Sequence, residues 1–310
     1  MNKPRITVVG SVNMDLVFRT PRLPVLGETL HGHDFHQIPG GKGANQAVAA
    51  ARQGAAVEFV GAVGDDGFGE FSRKTLSADG ISLTNLQTVI GCATGVAGIL
   101  VEDAGDNCIV LAAGANARVN LAQIEAASAA ISQAQILVCQ LETPLASVEA
   151  AIAKARSAQV QTILNPAPAQ QLSDELLAQV DYLILNETEA SLLSGITVSD
   201  QQSARQAAEK LRQRGAAVVL LTMGEQGALI SEAKGAEFVP AVKVEVVDTT
   251  AAGDTFVGAF AVGLAKGLSL LEAVFEAQYT AALTVTKLGA QTSIPQREDV
   301  VKFMASRVQA

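Results

Sequence analysis

Short apolar runs that turn polar at their carboxyl ends recur along this chain. Ile6-Thr7-Val8-Val9 leads into Gly10-Ser11-Val12-Asn13-Met14-Asp15, Val57 to Val63 into Gly64-Asp65-Asp66, and Ala217 to Leu221 into Thr222-Met223-Gly224. An aliphatic run of this length is the pattern of a strand buried on both faces of a parallel sheet. Further strands are predicted at Ile136–Gln140, Val160–Asn165 and Tyr182–Leu185. Helices are predicted from Phe68 to about Leu76, near Leu121–Ser132, at Leu145–Ser157, Ser173–Gln179 and Gln202–Gly215, from about Thr255 to Lys266, and at Leu270–Lys287. Such alternation predicts an α/β fold, a central, mostly parallel sheet covered by helices on both faces. In folds of this kind ligands bind at the carboxyl ends of the strands, where the polar residues fall here.

Two stretches break the rhythm. Leu16-Val17-Phe18, Thr29 to His33 and Phe35 to Ile38 read as short strands separated by Pro21, Pro24 and Gly27, and Thr94–Val101 and Cys108–Ala112 flank the turn-rich segment 102–107. Together, segments of about 14–38 and 93–113 predict a small β-sheet lid on one domain that spans residues 1–310, since no repeat, linker or low-complexity tract divides the chain. All three histidines, His31, His33 and His36, lie in the first segment. Two imidazoles aligned on one strand face, without a carboxylate or thiolate partner, leave a metal's coordination incomplete, so a solvated strand face is the better reading.

Composition narrows the function. A chain of 310 residues with 49% hydrophobic content supports a large core, and a formal net charge of −9 excludes nucleic acid or an anionic membrane as the main partner. Cys92, Cys108 and Cys139 are odd in number, lie in apolar surroundings and have no metal-binding spacing, which predicts buried, reduced thiols. The N-terminus runs into a strand without an apolar leader, and no apolar run approaches a membrane span. A cytoplasmic protein is expected.

The most informative stretch is Asp248-Thr249-Thr250-Ala251-Ala252-Gly253-Asp254, between the β-branched run Val242 to Val247 and a long apolar helix pattern. Read as a strand-to-helix turn, it leaves backbone amides uncovered at a helix start, where the dipole favours a phosphate. Asp254 then stands where it should repel that anion. Either it is a first-turn acid that stabilises its helix, or a hydroxyl sits between them, giving its proton to Asp254 while its oxygen attacks phosphorus.

Other strand ends carry compatible chemistry. Asn13 and Asp15 alternate and so point the same way, either towards a sugar's hydroxyls or into an Asx turn. Gly40-Gly41-Lys42-Gly43-Ala44-Asn45-Gln46 lacks the spacing of a nucleotide P-loop, and is either a ligand loop with Lys42 and Asn45 as donors or a flexible helix entry. Asn186 and Glu189 are three apart, as in a helix capping box or in a pair that holds the water shell of Mg²⁺. Glu142 and Asn165 also follow strands.

Taken together, Gly40 to Asn45, Asn186-Glu187-Thr188-Glu189 and Asp248 to Asp254 resemble, in order and spacing over essentially the whole chain, the ribokinase family of carbohydrate kinases. The resemblance implies that Asn13, Asp15, Gly41, Lys42, Gly43, Asn45 and Glu142 bind the sugar and that Asp254 is the base for its primary hydroxyl. It implies an anion hole at Ala251, Ala252 and Gly253. ATP would be held by Asn186, the Thr222–Gly227 loop with Gly224 and Gly227, Gly253 and Gln278, with Glu189 positioning Mg²⁺ through water. The family also implies a potassium site at Asp248, Thr250, Thr284, Lys287, Gly289 and Ser293, and a homodimer joined through the lids. The implied reaction is ATP-dependent phosphorylation of ribose at O5. Two positions depart from the family's pattern: Gln278 replaces the His or Asn expected near adenine, and Ala251 replaces the Gly of fructokinase-like relatives. Kinases for deoxyribose, fructose or a nucleoside are the alternatives within the fold, and a non-catalytic sugar-binding regulator is one outside the class. A dinucleotide dehydrogenase is disfavoured because the first strand lacks GxGxxG.

Overall fold

In the computed structural model, which describes residues 3–308, the chain opens with β1 (Arg5–Val9), β2 (Asn13–Thr20), β3 (Asp34–Gly40) and α1 (Lys42–Arg52). There follow β4 (Ala56–Gly64), α2 (Gly67–Ala78), β5 (Ser82–Val89), β6 (Gly95–Glu102), β7 (Asn107–Ala112), α3 (Leu121–Ala126), α4 (Ser128–Gln133), β8 (Ile136–Cys139) and α5 (Leu145–Ser157). Then come β9 (Gln161–Leu164), α6 (Asp174–Leu177), β10 (Tyr182–Asn186), α7 (Glu187–Ser194), α8 (Gln201–Gln213) and β11 (Val218–Thr222). The chain finishes with β12 (Ala228–Glu232), β13 (Gly235–Val239), α9 (Ala252–Ala265), α10 (Leu270–Thr284) and α11 (Arg297–Val308).

A nine-stranded sheet runs β13-β12-β11-β10-β9-β8-β1-β4-β5, and β2, β3, β6 and β7 form a separate four-stranded sheet in the order β3-β2-β6-β7. The large sheet is parallel from β11 through β5, with β12 and β13 added antiparallel at one end. From β1 the chain winds outward to β5 on one side, then restarts at β8 and winds to β11 on the other. The strand order therefore reverses between β1 and β8, the crevice where such sheets bind ligands.

Alternate residues of the central strands feed two cores. Val9, Leu137 and Cys139 pack with Ile124, Val148, Ile152 and Leu211 on one face, whereas Ile6, Val8 and Val138 pack with Val48, Phe256, Phe260 and Ala277 on the other. On that second face α9 lies against α1 because Gly258 has no side chain. A Cβ there would come within 2.6 Å of both the Ala49 Cβ and the Gln46 carbonyl. This close crossing sets the start of α9 beside the start of α1.

Four expectations need correction. Val242 to Val247 is not a strand: it leaves the sheet at its β13 edge and runs unpaired, with Val246 and Val247 58% and 59% exposed, until the Val247 and Asp248 amides reach the Val285 carbonyl. Its alternation of valine and charge mimics a strand, but among the described residues no neighbouring strand pairs with it. Thr29 to His33 is likewise irregular, so His31 and His33 share no strand face. The strand β5, the β12–β13 hairpin and α11 were not expected. Of the cysteines only Cys139 is buried, while Cys108 is exposed on β7. No described helix is long and apolar enough to cross a membrane.

Candidate active site

The end of β1 and the start of α1 meet across Gly43, where a Cβ would come within 2.4 Å of the Ser11 amide. This lets the Gly43 amide donate to Ser11 Oγ at 3.2 Å and the Ala44 amide to the Ser11 carbonyl at 2.9 Å. Glu142, just past β8, completes the corner: one of its oxygens, Oε2, accepts from Ser11 Oγ (2.5 Å), the Lys42 amide (3.1 Å) and Asn13 Nδ2 (3.3 Å). A carboxylate thus occupies the positive start of α1. Asn116 holds Asn13 from behind, donating through Nδ2 to Asn13 Oδ1 at 2.7 Å and accepting from the Val12 amide at 2.9 Å. Sequence reasoning missed Ser11 and Asn116; neither lies in a motif, and Asn116 is 104 residues from its Val12 partner.

Asp254, 8% exposed in the first turn of α9, joins this corner through two amides. Asn45 Nδ2 donates to its Oδ2 and Gln46 Nε2 to its Oδ1, each at 2.9 Å. Asp15 stands nearby on β2, and its carboxyl is pushed up to about 7 by burial, then by the negative charges of Glu142 and Asp254, against the pull of Lys42. Burial also acts to lower the Lys42 ammonium, but the carboxylates of Asp254, Glu142, Glu189 and Asp15 outweigh it and raise its pKa. The structure therefore brings Asn13, Asp15, Lys42, Asn45, Glu142 and Asp254 together at one corner of the fold.

The start of α9 is the opposite of the start of α1. Ala251 caps it in the left-handed region at φ 61°, and the Ala252 amide closes the turn onto the Thr249 carbonyl at 3.2 Å. Among the described residues the amides of Ala251, Gly253 and Asp254 have no protein acceptor. The open donors are thus 251, 253 and 254, while the Ala252 amide is engaged in closing the turn. A Cβ at Gly253 would meet nothing within 4 Å.

Gly253 also borders a cavity of about 700 Å³ that runs to Thr222, Gly224, Gly227 and Gln278. Its remaining wall is largely apolar, with Val242, Phe256 and Ala281 among its residues, which suits the face of a flat ring. Gln278 is buried and donates through Nε2 to the Val239 carbonyl at 3.1 Å, while its Oε1 has no partner. Asn186 pairs in register with Thr222 on the next strand. Asn186 and Glu189 form a capping box, the Glu189 amide donating to Asn186 Oδ1 at 2.9 Å and the Asn186 amide to Glu189 Oε2 at 3.0 Å. Burial and the Asp254 charge raise the Glu189 carboxyl, a shift tempered by the Asn186 amide and Lys42.

Behind the α9 turn, Asp248 ties two segments together. Its Oδ1 accepts from the Thr250 amide (2.9 Å) and hydroxyl (2.6 Å), and its Oδ2 from the Gly289 amide (2.9 Å). Burial acts to raise this carboxyl, but these bonds and the Arg19 charge hold it below its ordinary value. Thr284 Oγ1 meets Thr255 Oγ1 at 3.2 Å, the Lys287 amide bonds the Thr284 carbonyl, and Ser293 folds back onto Ala290. Among the described residues no group of three or more His, Cys, Asp or Glu side chains could hold a metal. The oxygen donors here are hydroxyls, carbonyls and one carboxylate, a set that fits a hard cation and not a transition metal.

Residues 3–297 match the pfkB family of carbohydrate kinases, and the chain belongs to that family. It is a carbohydrate kinase. A ribokinase of Haemophilus influenzae is 44% identical over 299 residues, covering 96% of this chain and 98% of the relative. A deoxyribokinase of Salmonella typhi is 36% identical, covering 97% of this chain and 98% of the relative. The structure of an Arabidopsis thaliana ribokinase complexed with ribose and ATP superposes with a TM-score of 0.90 at 32% identity, covering 97% of this chain and 99% of that one.

Proposed function

We propose that the chain transfers the γ-phosphoryl group of ATP to O5 of D-ribose, with Asp254 as general base and the start of α9 as the anion hole. One observation carries this reading: Asp254 sits where the hydrogen-bonded corner of Asn13, Asn45 and Glu142 meets a helix start whose amides are open. The sugar lies against Asn13, Asp15, Gly41, Lys42, Gly43, Asn45 and Glu142. The unused Glu142 Oε1 and the unpartnered Asn45 Oδ1 accept from its hydroxyls. Asp254 takes the proton of the primary hydroxyl as the open amides draw the phosphoryl group's negative charge, and the reaction needs little more than this positioning and charge stabilisation. ATP rests its adenine in the cavity beside Gln278 and its phosphates against Asn186, the Thr222–Gly227 loop and Gly253.

Glu189 would hold Mg²⁺ through water, which would neutralise charge on the phosphates, and Asp248, Thr250, Thr284, Lys287, Gly289 and Ser293 would hold K⁺ behind the turn that carries the anion hole, which would stiffen that turn. The four-stranded sheet is a lid that keeps water from accepting the phosphoryl group. Phe18 and Phe35, with ring centroids 4.8 Å apart, are 43% and 44% exposed on it, and Val110 is 67% exposed on the same face. An apolar patch of this kind suits a homodimer joined through the lids.

The deoxyribokinase relative favours a second reading, with deoxyribose as acceptor. The two sugars differ by one hydroxyl, and one hydrogen bond is enough to decide between them. ADP release from Mg·ATP with ribose, deoxyribose, fructose and ribonucleosides, each with and without potassium, tests both. Potassium-stimulated turnover of ribose above the others is expected; preference for deoxyribose establishes the second reading, and no turnover with any acceptor refutes both.

A further inference from the structure

Three buried amide side chains form a row behind the base. Gln140 Nε2 donates to Gln46 Oε1 at 2.6 Å, and Gln46 Nε2 donates both to Asp254 Oδ1 at 2.9 Å and to Asn165 Oδ1 at 3.1 Å. Asn165 Nδ2 in turn donates to the Ile184 carbonyl at 3.0 Å. Asn45 adds its own bond to Asp254 Oδ2 from the sugar side. Gln46 and Gln140 are 0% exposed and Asn165 is 9% exposed.

The direction of the row is fixed by the backbone. A carbonyl only accepts, so Ile184 dictates which end of the Asn165 amide faces it, and the Asn165 oxygen is left for Gln46. That leaves Gln46 to present Nε2 to Asn165 and Asp254, and Oε1 to Gln140. The row runs from the carboxyl ends of β8 and β9 to the middle of β10, and α1 holds Gln46 in place, so its geometry rests on the rigid part of the fold.

We propose that Gln46 is a positioning residue for the phosphoryl transfer: it ties Asp254 Oδ1 into the buried row, so that Oδ2 is the oxygen that takes the substrate's proton. This rests on Asp254 being the base. Oδ2 lies on the side of Asn45, which releases it when the sugar's hydroxyls compete for the Asn45 amide, whereas the Gln46 bond is out of reach of any ligand and stays made. Without it the carboxylate rotates about its own bond, and misplacement on the scale of an ångström costs about two orders of magnitude in rate.

The test is a double-mutant cycle. Gln46→Met keeps length and volume but donates nothing, and its kcat with the preferred sugar falls about 10-fold to 100-fold while KM for that sugar stays within about threefold. The variant melts cooperatively and binds the sugar by calorimetry. In an Asp254→Asn background, adding Gln46→Met changes the residual kcat by less than about twofold, because the oriented carboxylate is already gone. Equal losses in both backgrounds, or an unchanged kcat for Gln46→Met, overturn the proposal. Should Gln46→Met fail to fold, Gln46→Glu, which keeps the shape and the acceptor for Gln140, enters the same cycle. Asp254→Asn alone separates the two ideas: wild-type turnover there removes the base and the positioning role with it, whereas a slow Asp254→Asn beside a fully active Gln46→Met overturns the positioning role only.

Discussion

Two helices begin side by side at the site, and they treat their free amides in opposite ways. At α1 the protein supplies its own anion: the Lys42 amide goes to Glu142 and the Gly43 amide to Ser11. At α9 the amides of Gly253 and Asp254 point at no protein acceptor. The same backbone device is filled in one place and left open in the other. The filled start becomes a rigid frame of hydrogen-bonding groups, able to read a sugar's hydroxyls. The open start remains available to an anion that comes and goes.

Apart from loss of Asp254 itself, breaking the filled start should have the largest effect. Glu142→Ala takes away the acceptor of Ser11, Asn13 and Lys42 at once. Bonds to a charged group are worth about 1.5–3 kcal/mol each, so kcat/KM for the sugar falls by about 100-fold or more in steady-state assays.

The charge crowded around that start gives the next prediction. Asp15 is held near about 7 against an ordinary value of 3.8, so between those values the folded chain keeps a proton that the unfolded chain has lost. Stability from this group is therefore fully present below the ordinary carboxylate range, falls as pH rises through it towards about 7, and stays lost above. Asp15→Asn removes this penalty: relative to the wild type it gains about 4 kcal/mol in urea unfolding at pH 8 and less than about 1 kcal/mol at pH 4.

Those groups show what a sequence gives away and what it hides. The parallel strands were legible because each is a short aliphatic run that must be buried on both faces. The strand β5, Ser82-Leu83-Thr84-Asn85-Leu86-Gln87-Thr88-Val89, escaped notice because an edge strand is free to carry polar residues. Val242 to Val247 misled for the converse reason, since alternation shows that a segment is extended but not that a partner strand exists. Asp254, Asn45 and Glu142 stood out because each follows glycines or a strand end. Ser11 and Asn116 did not, since what distinguishes them is a partner across the fold: Ser11 lies 131 residues from Glu142 and Asn116 104 from Val12. Gln46 and Asn165 were visible in a glycine loop and at a strand end, but nothing in the sequence showed the tie from Gln46 to Asp254, 208 residues away.

Two smaller changes act on the open start. Gly253→Ala adds a methyl group into empty space, so the helix gains about 0.5–1 kcal/mol and melts higher. The same methyl intrudes where the phosphate belongs, and kcat/KM for ATP falls about tenfold, a loss that distinguishes an anion site from an ordinary helix start. Ala251→Gly relieves a left-handed alanine but loosens the unfolded chain, and the two effects leave stability within about 1 kcal/mol of the wild type in thermal melts.

The measurement that bears most directly on the account is the kcat of Asp254→Ala with Mg·ATP and ribose, alongside its melting temperature. A base at the meeting point of the two helix starts predicts a fall of about 10² to 10⁴ in kcat with the fold intact. A folded Asp254→Ala enzyme that turns over at the wild-type rate would contradict it.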